Sequence, residues 1–233
     1  MNLASVKTSL GEYPEAESFY RGALGIMEAW YGPGQPDTAA CLTIFAHTLI
    51  LEEKVGEAEA LAERALKIQE RTYGAVHPYV AYSLDTLGKV ATKRGDLTAA
   101  KRDLTRAIEI DRTLFGEESH FTAAVIADLA EVYLREGQDA RAEAMLSEAV
   151  NVLVAKFPPG DGHIGFAQII CGHALLREKR YVEAEKQLAA GYEILAKQAH
   201  PPADRMLEAR EDLAAVYDAL KEPDKAARFR DLK

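Results

Sequence analysis

Residues 121–157 read FTAAVIADLAEVYLREGQDARAEAMLSEAVNVLVAKF. Val125, Leu129, Val132 and Tyr133 recur at the three- and four-residue intervals that place side chains on one face of an α-helix. Gly137 follows as a C-terminal cap, and Gly137-Gln138-Asp139 makes a turn. Ala142, Leu146, Ala149 and Leu153 then lie on one face of a second helix. The run PPGDGH, 158–163, breaks the chain before the next apolar stretch. This segment therefore predicts two antiparallel helices joined by a short turn.

The same unit recurs in both directions. Ala16, Ala58, Ala100, Ala142, Ala184 and Ala226 are spaced 42 residues apart without a slip. A second small column follows at Ala23, Ala65, Ala107, Ala149 and Gly191, and an aliphatic one at Ile26, Ile68, Ile110, Val152 and Ile194. Upstream, Leu3, Phe45, Leu87, Leu129, Cys171 and Leu213 align, each followed by Ala or Gly. Small residues let helix backbones approach, and the large column fills the space beside them. Corresponding breaks occur at YGPGQPD, YGAVHP and FGEESH. No stretch alternates with period two for long enough to make a strand.

A helix pair cannot bury both of its faces alone, so neighbouring pairs must stack. The expected fold is all-α: a right-handed α-solenoid of antiparallel helix pairs, about five and a half repeats and roughly 11–12 helices. The repeats run approximately 1–35 (incomplete at its start), 36–77, 78–119, 120–161, 162–203 and 204–233 (shortened, its last helix about 222–232), in one array over 1–233. The first period supplies only the second half of its first helix. Leu3 and Val6 thus lack their usual neighbour, and the expectation is that the chain continues upstream or that a second copy covers them.

Composition narrows the function classes. The 233 residues are 48% hydrophobic and 28% charged, as in folded proteins, and the formal charge of −9 disfavours binding to nucleic-acid phosphates. No apolar run approaches a membrane span, and MNLASVKTSLGEY lacks the features of a signal peptide. Cys41 and Cys171 are the only cysteines; they suit buried packing and a reducing, cytoplasmic setting rather than a disulfide framework or a thiolate zinc site.

The Leu129-Ala130-Glu131-Val132-Tyr133 pattern, the Gly137 turn and the Ala142/Ala149 pair resemble the tetratricopeptide repeat superfamily. The 42-residue period and the phrase EAEALAERALKIQERTYGAVHP (57–78) resemble its kinesin-light-chain-like subclass. The eight residues beyond the usual repeat length add about two helical turns, so both helices lengthen in register. The resemblance implies a scaffold for protein–protein interaction. That subclass usually carries an Asn pair before the Leu-Ala signature; here those positions are Thr43-Ile44, Asp85-Thr86, Ala127-Asp128, Ile169-Ile170 and Glu211-Asp212. The departure speaks against carrying over the subclass's cargo peptides.

Catalytic, cofactor and metal motifs are missing: the sequence has no HExxH, GxGxxG, GxxxxGK[ST] or GxSxG. His77, His120 and His163 fall at linkers, where capping suffices, and repeated Glu residues such as Glu15, Glu57 and Glu183 fall at helix starts, where they favour the dipole. Trp30 is expected to pack against the neighbouring repeat. No enzyme activity and no cofactor are expected.

The resemblance implies that the first helix of each repeat lines a concave groove, with ligand-facing positions four residues apart. Mapped onto this chain, the groove reads Thr43, His47, Leu51; Asp85, Lys89, Lys93; Ala127, Glu131, Arg135; Ile169, His173, Arg177; and Glu211, Ala215, Ala219. Lys93, Arg135 and Arg177 form a basic column, with apolar Phe166, Ile169 and Ile170 beside it. Two readings of that column stand open: a site for an extended acidic peptide of a protein partner, or cations offsetting helix C-terminal dipoles and pairing at i, i+4. A regulatory domain whose curvature responds to a peptide is the alternative function.

Overall fold

The computed structural model describes residues 2–231. Residues 232 and 233, where the last helix was expected to end, lie outside the described residues. Twelve helices and no strand occur among the described residues: α1 (Asn2–Ser9), α2 (Tyr13–Tyr31), α3 (Pro36–Leu51), α4 (Val55–Tyr73), α5 (Pro78–Arg94), α6 (Leu97–Phe115), α7 (His120–Arg135), α8 (Asp139–Lys156), α9 (Gly162–Arg177), α10 (Tyr181–Ala196), α11 (Ala203–Ala219) and α12 (Pro223–Arg230). The architecture is an all-α solenoid of helix pairs, grouped in two compact units, Met1–Gly116 and Glu117–Lys233.

Local chemistry sets the helix ends. His77 caps α5 by accepting from the Tyr79 N–H at 3.2 Å, and its ring stacks on Tyr73 with centroids 4.0 Å apart. Ser119 caps α7 and Asp161 caps α9, each accepting from the N–H two residues on. Within a pair, the turn always passes through a left-handed residue at one repeat position: Gly11, Glu53, Gly95, Gly137, Lys179 and Lys221, with φ between 61° and 79°. Only half of these are glycine, so the turn geometry recurs where its usual residue does not.

In the first unit, Ala16, Ala58 and Ala100 are fully enclosed, and Tyr20 of α2 stacks on Phe45 of α3 at 5.4 Å. A buried polar network ties three helices together. The Thr43 and Ser83 hydroxyls lie 2.8 Å apart, Gln69 donates to Thr43 at 3.1 Å, and Ser83 donates to Gln69 at 2.6 Å. One period on, the positions of Thr43 and Gln69 are Asp85 and Asp111, both buried. Burial pushes the Asp111 carboxyl up to about 6, and Asp85 adds to the shift.

In the second unit, Ala142, Ala184 and Ala226 are again enclosed. Gly191 ends the small column because a Cβ there would lie 2.7 Å from the Gly165 carbonyl oxygen. Both cysteines are buried, and burial raises the Cys41 thiol and pushes Cys171 to about 11. Trp30 departs from its expected place. It is 82% exposed rather than packed, and its counterparts Thr72 and Leu114, which lie beside full-length first helices, are exposed too.

Candidate functional site

In the second unit, α7, α9 and α11 stand side by side and enclose a groove of about 380 Å³. Glu131, Leu134 and Arg135 line it from α7, Ile170, His173 and Arg177 from α9, and Asp204, Arg205 and Glu208 from α11. The 3.6-residue period brings positions 131 and 135, and 173 and 177, to the same side of their helices.

The deepest ion pair joins Glu131 to Arg205, with Oε2 and Nη2 2.9 Å apart. Glu131 also accepts from Arg135 at 2.8 Å, and Arg205 reaches Glu208 at 2.7 Å while lying over the Phe166 ring at 4.5 Å. Burial opposes charge on Glu131, but Arg205 and Arg135 outweigh it and hold the carboxyl below its usual range. Burial likewise works against the Arg205 guanidinium, and Glu131 and Glu208 overcome it. Arg177 donates through Nη1 to the Leu134 carbonyl at 2.9 Å and lies 3.1 Å from Asp139. It thereby ties α9 to the end of α7.

His173 Nδ1 lies 2.7 Å from Asp212 Oδ2 and 3.9 Å from Glu208. The Asp212 hydrogen bond raises the imidazole above its ordinary value, against the effect of burial. One donor atom from each of these three side chains falls within 4.8 Å of the others, a set that could hold a divalent cation. Asp212 is already bonded to the imidazole and Glu208 to the Arg205 guanidinium, so both carboxylates have partners within the protein.

Of the expected groove residues, Glu131, Arg135, His173 and Arg177 come together here, with Phe166 beneath Arg205. Ile169 does not line the groove. It is fully buried, its backbone and side chain pressed close to Gly191 of α10, and Ile170 takes its place in the wall. Thr43, Asp85 and Ala127, at the same repeat position, are also buried, whereas Glu211 in the last period is exposed. Asp85 is the carboxylate partner of Lys89 at 2.7 Å, and Lys93 pairs with Glu53 at 2.6 Å. With half-buried His47, they belong to the first unit.

The α11 wall was missed. Ala215 is the equivalent of Glu131 two periods on, yet the contact is made by Arg205, ten residues earlier. Strict repeat arithmetic assumes successive helices stay level. The i, i+3 pair Arg205–Glu208 at the start of α11 was the available signal.

Residues 44–113, 87–153 and 1–37 match tetratricopeptide repeat families, and the chain belongs to the tetratricopeptide repeat superfamily. No curated protein matches it. Among solved structures, the nearly identical kinesin light chain TPR-like repeats of Podosopora anserina share 21% identity, with 84% of this chain and 92% of that one covered at a TM-score of 0.65. BtubC (BKLC) from P. vanneervenii shares 17%, with 96% and 87% covered and a TM-score of 0.69. The Rap protein complexed with Competence and Sporulation Factor shares 15%, with 97% and 71% covered and a TM-score of 0.74. At these identities the likenesses show the fold, a solenoid of helix pairs. A scaffold for protein–protein interaction is what this fold implies, and its family is generally non-enzymatic.

Proposed function

We propose that the groove of the second unit binds an extended acidic segment of a protein partner, and that the protein acts as a non-enzymatic interaction module. One observation carries this reading: Arg135 and Arg177 stand on adjacent first helices at the mouth of a single cavity, their side chains 44% and 39% exposed. Glu131, the nearest groove carboxylate, is shared with the buried Arg205 and is correspondingly less able to neutralise the mouth. A peptide carboxylate can engage a guanidinium through two parallel N–H donors, and Ile170 offers an apolar floor beside it. The Rap relative provides a precedent in the same architecture, since it is complexed with a factor.

The test uses fluorescence anisotropy with labelled Glu-rich and Lys-rich peptides of equal length. The Glu-rich peptide should bind and weaken steeply as salt rises, and Arg135→Glu with Arg177→Glu should abolish binding. Equal binding of both peptides, or an unchanged affinity in the double variant, refutes the reading. A modest fall in thermal midpoint with no change in binding is the signature of helix-end electrostatics alone.

A regulatory role has one observation in its favour. Glu131–Arg205 ties α7 to α11 across α9, so a ligand carboxylate that takes over Arg205 would release that tie.

A further inference from the structure

Three side chains able to ligate a metal, from two neighbouring helices, meet at one wall of the second unit's groove. His173 stands on α9, and Glu208 and Asp212 stand four residues apart on one side of α11. One donor atom from each lies within 4.8 Å of the others. A zinc ion with bonds of about 2.0–2.1 Å holds tetrahedral donors roughly 3.4 Å apart. His173 Nδ1 is 2.7 Å from Asp212 Oδ2 and 3.9 Å from Glu208 Oε1, which brackets that separation. Small side-chain rotations bring all three onto one ion.

The surrounding contacts orient these donors without occupying them. Arg205 binds Glu208 through Oε2, and it is Oε1 that faces the imidazole. That bond fixes the carboxylate plane, as outer partners of metal ligands do. Arg205 is shared with Glu131, and Arg177 is turned onto the Leu134 carbonyl and Asp139. A single hydrogen bond joins Nδ1 to Asp212. An ion between them takes the place of the bonded proton, which leaves to solvent.

The repeat itself does not call for this set. One period earlier the same three positions hold Glu131, Phe166 and Ile170; two periods earlier, Lys89, Ala124 and Asp128; three earlier, His47, Tyr82 and Thr86. Two carboxylates beside an imidazole therefore belong to the junction of α9 with α11, and apolar residues fill the same places one period before. Asp212 is only 8% exposed, and a carboxylate so deep is costly unless positive charge meets it.

We propose that His173, Glu208 and Asp212 hold a zinc ion that ties α9 to α11. One imidazole nitrogen and two carboxylate oxygens suit a transition-metal dication, whereas magnesium and calcium favour six or more oxygen ligands. Asp212 closes the back of the site, and His173 and Glu208 line the groove. The fourth tetrahedral position opens into the cavity and is left to water. Because its donors lie 35 residues apart in the chain, the site has no compact sequence motif.

The test starts from the untagged chain, freed of metal with a chelator and titrated calorimetrically with zinc chloride. One ion should bind per chain. Zinc at about 100 times its dissociation constant should raise the thermal midpoint by about 5–10 °C. Asp212→Asn and His173→Gln should each weaken binding by more than about tenfold. His163→Gln removes the exposed His163–Asp161 pair at the start of α9 and should bind zinc like the wild type. Cobalt(II) in place of zinc should give the visible absorption of a four-coordinate site in the unsubstituted chain, which keeps the test independent of whether a variant folds. A wild-type chain that binds no zinc, or that shows no such cobalt absorption, overturns the proposal. So do folded Asp212→Asn and His173→Gln variants that bind as tightly as the wild type, loss of the ion in His163→Gln, or an equal response to magnesium.

Discussion

α2 and α4 are 19 residues each and occupy the same place in successive 42-residue periods, but they meet their surroundings differently. α4 has a 16-residue first helix beside it: Ala39 and Leu42 of α3 pack with Ile68, Arg64 reaches back to Glu28 of α2, and Lys67 is exposed. α2 has an eight-residue α1 and an open Ile26. The lesson is that a repeat position has no fixed environment. The same aliphatic residue is core in one period and surface in another, because burial is conferred by the neighbouring helix and not by the residue's own helix face.

The sharpest way to break this comparison is to remove the same side chain from both helices. Ile68→Ala should cost about 2–5 kcal/mol, since it empties a packed site, and Ile26→Ala should stay within about 0.5 kcal/mol in dilute solution. Urea denaturation of both variants checks this, and equal losses would mean that α2 is as well covered as α4.

Next in size is the buried polar position that Gln69 of α4 shares with Asp111 of α6. Gln69 is neutral and bonded, whereas burial pushes Asp111 up to about 6. A carboxyl raised above its unfolded value disfavours the folded state increasingly as pH rises from about 4 to about 6, and fully above that. Asp111→Asn should therefore stabilise the protein at pH 7.5 by up to ~3 kcal/mol and leave it nearly unchanged at pH 3.5. Thermal melts at the two pH values decide it.

The groove position shared by Lys89, Glu131 and His173 tests whether context also governs charge in the second unit. The His173–Asp212 bond raises the imidazole, so its contribution is present in full below the ordinary histidine range and is lost as pH rises through the folded value. His173→Gln should cost at most about 1 kcal/mol at pH 5.5 and less at pH 8.5. A loss that does not vary with pH would argue against an ionic pair.

The smallest effect concerns the turns. Glu53 before α4 sits where Gly11 precedes α2, both left-handed. Glu53→Gly should be neutral to stabilising by about 0.5 kcal/mol, and Gly11→Ala should destabilise by about 1 kcal/mol. Chemical denaturation of the pair separates the demand of the turn from the identity of its residue.

Helix pairs, their number and the placing of small and large columns were legible in the sequence. They follow from local periodicity and from close backbone approach, and both leave a trace at every 42nd residue. Glu131, Arg135, His173 and Arg177 were named because the resemblance implies that first helices carry a groove, and these four side chains do line one cavity. What the tertiary structure alone decided is the meeting of elements across repeats. Arg205 at the start of α11 finds Glu131 of α7 ten residues out of register, a meeting that no period encodes. Ile169 and Ile170 are adjacent apolar residues in the sequence, yet one presses against Gly191 and the other lines the cavity, since one residue is a 100° step around the helix. Exposure of Ile26 was likewise undecidable from its own column, because solvent access is a property of what lies alongside.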